Sequence, residues 1–175
     1  YGMYEVCANI NDVEYRSVLL REDYSLDADA LLRAADQNTK VIWLCSPNNP
    51  TGVALERSQV ERVLTEFQGI VVIDEAYSDF SHQRPFRLDL DLYPNLIVLN
   101  TMSKAWASAA IRLGMAFAGE QIIEFFNKVK YPYNVNQLTC EQAKRILGQA
   151  DSVARWVGNI VRNVMVADDE VYSQT

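Results

Sequence analysis

Apolar residues recur along the chain with two periods, and their alternation predicts its architecture. Met3, Val6, Cys7 and Ile10 stand at i, i+3, i+4 and i+7, the spacing of one helix face over residues 3–10. Residues 14–20 read as a short strand, and Tyr24-Ser-Leu-Asp27 leads into a helix at 27–36. Val41-Ile-Trp-Leu-Cys45 is a continuous apolar run of strand length. Val60, Val63, Leu64 and Phe67 then mark a helix over 55–67, with Gly69 as its stop. Further apolar runs at 70–73 and 96–99 predict buried strands, and 112–118 predicts another. Between them, the polar, proline-bearing residues 81–94 read as a loop. Helices are predicted at 121–129, 137–148 and 151–166. In the last of these, Val153, Trp156, Val157, Ile160, Val161, Val164 and Met165 form one stripe that calls for a covering partner. Asp168 to Thr175 carry no core pattern, which predicts a frayed or artificially ended terminus.

Strands that are apolar on both faces, separated by helices, predict an α/β fold: a three-layer, mostly parallel sheet with helices on both faces. Composition agrees with one domain and a real core, since the chain has 175 residues, 49% of them hydrophobic and 22% charged. A formal net charge of −7 argues against a nucleic-acid partner and leaves small molecules as the expected ones. Cys7, Cys45 and Cys140 lack CxxC spacing and lie in apolar segments, where a reduced thiol packs as a small hydrophobe; a cytoplasmic setting follows. No apolar run reaches the roughly 18 residues of a membrane span, and no signal-peptide pattern opens the chain. It opens on Tyr1 without a methionine, which predicts a piece of a longer protein.

Candidate chemistry gathers after three of the predicted strands. Asn100-Thr-Met-Ser-Lys104 follows the 96–99 run and brings two hydroxyls, Thr101 and Ser103, beside a reactive amine. A lysine amine condenses with an aldehyde to a Schiff base, most readily when burial or a neighbouring cation lowers its pKa. Arg112 offers both that cation and a planar fork matched to phosphate. Ser46-Pro-Asn-Asn-Pro-Thr-Gly52 follows the 41–45 run, its prolines fixing the backbone around Asn49. Asp74-Glu-Ala-Tyr77 follows the 70–73 run. Ligands of open parallel sheets bind at such strand ends. His82 lies in the polar loop as a solvated residue, and Trp106 reads as core or interface packing. No GxGxxG or GxxxxGK[ST] motif occurs.

In these segments, together with Tyr1-Gly-Met-Tyr4, Ile111-Arg-Leu-Gly114 and Tyr133-Asn-Val-Asn136, the chain resembles the fold-type-I, pyridoxal-phosphate-dependent aminotransferases of class I/II. Within them it is most similar to the histidinol-phosphate aminotransferases. The resemblance implies pyridoxal 5'-phosphate as cofactor, with Lys104 as its Schiff-base lysine and the catalytic acid and base. It implies further that Asp74 pairs with the ring nitrogen and that Asn49 and Tyr77 bind the ring oxygen. Ser103, Arg112 and Thr101 would hold the phosphate, and Tyr1 would stack on the ring. Residues 1–150 would form the cofactor-binding large domain, and 151–175 a helix leading toward a small domain. The family's upstream phosphate contact, partner-subunit tyrosine and substrate-carboxylate arginine would lie outside this chain. Ala110 stands where relatives usually have glycine.

The implied reaction is amino transfer from histidinol phosphate to 2-oxoglutarate in a cytoplasmic homodimer, without a metal. Aromatic amino acid transamination and decarboxylation of a phosphorylated amino acid are the rivals that keep the cofactor. A non-catalytic large-domain fragment is the rival from another class.

Overall fold

In the computed structural model, which describes the backbone of residues 1–172 and the side chains of residues 1–163, four strands form one sheet in the order β1-β2-β3-β4. β1 (Val41–Cys45), β2 (Ile70–Asp74) and β3 (Leu96–Thr101) pair in parallel, and β4 (Gly114–Ala118) runs antiparallel to β3. The α/β class with a mostly parallel sheet is therefore as expected.

Period-two alternation divides the sheet's side chains between two faces. Ile42 and Leu44 of β1, Val71 and Ile73 of β2, and Leu96 and Val98 of β3 share one face. They form a single core with Leu26, Ala28 of α2 (Ala28–Ala34), Val60, Val63 and Leu64 of α3 (Arg57–Glu66), and Phe86. α2 starts where it does because the Asp27 carboxylate accepts the Ala30 N–H at 2.8 Å, satisfying one orphan donor of the first turn. On the other face Val72 and Ile97 are buried, while Val41 and Trp43 on the edge strand stay exposed. Tyr4 of α1 (Met3–Ile10) lies over Trp43, with ring centroids 4.9 Å apart.

Several expectations need correction. Residues 14–20 form no strand: they are exposed apart from half-buried Val18. Arg16 binds Glu14, Asp36 and the Ala34 carbonyl, so this segment is tied down by side chains without a ladder. The Met3–Ile10 helix forms but buries none of its residues. β4 starts at Gly114 because Arg112, at φ 52°, caps a 3-10 turn (Ala109–Ile111) in the left-handed conformation. Cys7 and Cys140 are exposed, and only Cys45 is partly buried.

α4 (Glu120–Val129) and α5 (Gln137–Leu147) match expectation, whereas α6 (Ala150–Tyr172) outruns the predicted 151–166. Its stripe is half covered: Val153, Val157 and Val161 line a groove of about 420 Å³ with Phe80, His82 and Trp106, while Trp156 and Ile160 are exposed. The side chains of Val164 and Met165, and residues 173–175, lie outside the described residues.

Gly69 has a different task from the helix stop expected of it. α3 already ends at Glu66, with Phe67 extended, and Asn95 gathers the freed carbonyls of Leu64, Phe67 and Gly69 with its side-chain amide. A Cβ at Gly69 would meet the Lys40 carbonyl at 2.5 Å and the Phe67 ring at 2.6 Å, so glycine is required by close approach. Gly69→Ala should cost about 1–3 kcal/mol, as overpacking does. Urea denaturation should show a lower midpoint with an unchanged slope.

Candidate active site

Three parallel strands end at one edge of the sheet, and each passes directly into a segment that carries functional side chains. After β1, the Ser46 N–H bonds the Asp74 carbonyl at 3.0 Å, and the Ser46 hydroxyl accepts the Leu55 N–H at 3.0 Å. The Asn48–Gly52 turn closes on itself through Gly52 N–H to the Asn48 carbonyl, 2.7 Å, with Gly52 at φ 71°. That left-handed position favours glycine. The turn leaves Asn49 exposed, with its amide donating to the Tyr77 hydroxyl at 2.7 Å.

Tyr77 is placed by a buried polar knot after β2. Glu75 accepts the Phe86 N–H at 2.6 Å through one carboxylate oxygen, and Arg87 lies 3.5 Å from the other. Asn100 ties β3 to the same turn by donating to the Glu75 carbonyl and the Ser78 hydroxyl. Burial pushes the Glu75 carboxyl up, against the pull of the Phe86 N–H and Arg87. Nearby, Asp89 accepts from Arg57 and Arg84 and is held below the ordinary carboxylate value. Burial opposes that shift, but the two arginines outweigh it. The 75–89 segment is thereby pinned at several points, and Tyr77 with it.

Beyond β3, Thr101 donates to the Ser103 hydroxyl at 3.0 Å and accepts the Ser103 N–H at 3.1 Å, so the two expected phosphate hydroxyls are adjacent. Lys104 follows, exposed, its Nζ 5.0 Å from the centre of the Tyr77 ring. The neighbouring Lys104 amine, then the hydrogen bond from Asn49, lowers the Tyr77 phenol from its ordinary value. The Tyr77 phenol in turn raises Lys104, with Tyr1 and Asp74 adding to it through charge. A lysine depressed by Arg112 was the expectation, and the geometry corrects it. Arg112 is exposed and its Nη1 donates to the Ala109 carbonyl at 2.8 Å. Main-chain pairing still brings it near the hydroxyls, because the Met102 N–H bonds the Leu113 carbonyl at 3.1 Å and Thr101 pairs with Gly114. Ala110 sits exposed in the intervening turn.

The structure thus brings Lys104, Tyr77 and Asn49 into one cluster, and Thr101 and Ser103 into a second. Asp74 stands half-buried at the end of β2, its Oδ1 accepting the Ala76 N–H at 3.0 Å and its Oδ2 the Tyr4 phenol at 2.6 Å. Tyr4 is the residue that sequence reasoning missed. The available signal was its spacing from Tyr1, three residues away and edge-on to it at 5.6 Å between centroids. Among the described residues, no three His, Cys, Asp or Glu side chains converge as metal ligands, and no helix is long and apolar enough to cross a membrane.

The family model of class I and II aminotransferases matches residues 1–173. The chain belongs to this family. It is 59% identical over 157 residues to a histidinol-phosphate aminotransferase of Bacteroides fragilis, an alignment covering 90% of this chain and 46% of the relative. The chain spans about half the length of the curated relatives it matches. In fold it is similar to the Sinorhizobium meliloti histidinol-phosphate aminotransferase crystallised with pyridoxal-5'-phosphate, with a TM-score of 0.84 at 22% identity over 93% of this chain and 45% of that one. It is also similar to the L-threonine-O-3-phosphate decarboxylase of Porphyromonas gingivalis, with a TM-score of 0.72 at 27% identity over 86% of this chain and 45% of that one.

For this aminotransferase chain the Lys104–Tyr77 pair yields a direct test. The phenol favours the protonated amine, so removing it must lower the lysine's titration midpoint. In Tyr77→Phe, Lys104 should titrate nearer its ordinary value and acylate faster at a fixed alkaline pH. Site-resolved mass spectrometry of amine labelling across a pH series checks this, and an unmoved midpoint would refute the assigned pair.

Proposed function

We propose that the protein carrying this chain is a pyridoxal-phosphate-dependent aminotransferase that moves an amino group from histidinol phosphate to 2-oxoglutarate, giving imidazole acetol phosphate and glutamate. The observation that carries this reading is the convergence of Lys104, Tyr77, Asn49 and Asp74 at one sheet edge. The 59% identity to a histidinol-phosphate aminotransferase supports the choice of substrate.

The donor set fits the cofactor by chemistry. Lys104 supplies an amine for its aldehyde, and Asp74 a carboxylate for a protonated ring nitrogen. Asn49 and Tyr77 supply donors for its ring oxygen. Thr101, Ser103 and Arg112 supply hydroxyls and a cation for its phosphate, and Tyr1 an aromatic face. When bound, the cofactor provides an electron sink for the carbanion that forms as the substrate loses its α-proton. Keeping negative charge beside the ring nitrogen is the contribution of Asp74. With the cofactor bound, the Lys104 amine would be the group to remove and return that proton.

On this reading residues 1–150 belong to the cofactor-binding domain and 151–175 lead toward a smaller one. The protein acts in the cytoplasm as a homodimer. Exposed Phe125, Val129, Tyr131, Tyr133 and Leu138 on and between α4 and α5 support an interface there. The decarboxylase resemblance stands at lower identity, 27% against 59%, and would show itself by carbon dioxide release.

The test uses the full-length protein. Borohydride reduction should fix cofactor mass on the peptide containing Lys104, and amino transfer from histidinol phosphate should produce glutamate. Lys104→Ala should abolish turnover, a loss of at least about a thousandfold, since covalent and acid-base roles go together. Cofactor trapped on another lysine, or full turnover by Lys104→Ala, would sink the assignment.

A further inference from the structure

α1 is tied to the sheet by Tyr4. None of its residues is fully buried, and Met3, Val6 and Ile10 are exposed. Among the described residues of α1, Tyr4 makes the ring contact and the side-chain hydrogen bond to the sheet: its ring lies over Trp43, and its phenol donates to Asp74 Oδ2 at 2.6 Å. Tyr1 packs edge-on against the same ring. β1 and β2 supply the partners in register, since Trp43 pairs with Val72 and Cys45 with Asp74. Trp43, Cys45 and Asp74 therefore share the face over which Tyr4 lies.

Asp74 is faced by three titratable groups from three elements: Tyr4 of α1, Cys45 of β1, and Lys104 after β3. Among the described residues, only Tyr4 gives it a side-chain hydrogen bond. A carboxylate has about four lone-pair sites. The Ala76 N–H occupies one on Oδ1 and the phenol one on Oδ2, which fixes the rotation of the carboxylate and leaves acceptor capacity on both oxygens. Burial, followed by the bond to Asp74 and its negative charge, raises the phenol far above its ordinary value. Tyr4 is accordingly a donor across the working pH range.

We propose that Tyr4 is the positioning residue of this site: its hydroxyl orients the Asp74 carboxylate toward the cofactor's ring nitrogen, and the same bond docks α1 so that Tyr1 is held over the ring. This rests on the reading of Asp74 as the partner of that nitrogen. One hydroxyl would thus couple the carboxylate that partners the ring nitrogen to the aromatic residue that stacks on the ring. A ring that only packed on Trp43 would need no hydroxyl, and phenylalanine would serve equally.

The experiment is a double-mutant cycle in the full-length protein, with Tyr4→Phe, Asp74→Asn and both together. The dissociation constant of pyridoxal phosphate is measured by fluorescence titration of each apoprotein. Melting temperature and the induced circular dichroism of the bound cofactor's visible band are measured beside it. Tyr4→Phe should raise the dissociation constant by about tenfold, the size of one lost charge-assisted hydrogen bond. It should also weaken the visible dichroism while leaving the apoprotein's melting temperature near the parent's. In the Asp74→Asn background it should change the constant by less than about twofold, because its partner is already altered. Parental binding and dichroism in Tyr4→Phe would overturn the proposal. So would full additivity of the two substitutions, or a lowered melting temperature with unchanged binding. Unchanged binding in Asp74→Asn would instead remove the reading of Asp74 on which the proposal stands, and the proposal with it. If Tyr4→Phe gives no soluble apoprotein, Tyr4→His keeps a ring donor: near-parental binding supports the proposal, and binding as weak as Asp74→Asn overturns it.

Discussion

The parallel register of β1, β2 and β3 is the constraint on which the site depends. Cys45 pairs with Asp74, and Asp74 with Leu99, so three strands end within a residue or two of one another at one edge. Whatever follows each strand is delivered to the same place. Antiparallel pairing would send alternate strand ends to opposite edges and separate Asn49 from Tyr77 and Lys104. Hydrophobic burial on one face enforces the register, because slipping any strand by one residue would turn its core side chains to the wrong side.

Rigidity of the delivered segments comes from polar groups that the strands also fix. The Ser46 hydroxyl, the Glu75 carboxylate and the Asn100 amide are buried, and each bonds the main chain of a neighbouring segment. Together they lock the turns that carry Asn49 and Tyr77. Such a knot is costly to leave half-satisfied, which makes it a strong determinant of a single arrangement. The Glu75 oxygen beside Arg87 lacks a hydrogen bond of good geometry and has only the ion pair at 3.5 Å.

Much of this was legible in the sequence because apolar runs of strand length separated by helix-period stretches leave few alternatives. The β1, β2 and β3 runs, and the polar segments that follow them, stand where the pattern put them. Residues 14–20 misled because a strand requires a partner, and pattern alone does not supply one. Lys104 misled in a different way. Its neighbourhood in sequence holds a cation, Arg112, but its neighbourhood in space holds the Tyr77 phenol, and the sign of its pKa shift reversed accordingly.

The two faces of the sheet explain why Tyr4 escaped notice while Asp74 did not. On the closed face, burial is set by many side chains, and any of them is visible as part of an apolar period. On the other face Val72 and Ile97 are buried, but Trp43 and Val41 at the edge are exposed, and Tyr4 reaches Trp43 and Asp74 as a single residue. Asp74 announces itself by interrupting an apolar strand. Tyr4 sits in a helix whose apolar period points to Met3, Val6, Cys7 and Ile10, residues that the fold leaves at the surface. A bond across 70 positions, from a helix with no fully buried residue to the last residue of a central strand, has no local signature. Chemistry assembled on that other face is therefore the part of such a molecule that periodicity reads least well, and hydrogen-bond accounting in three dimensions reads best.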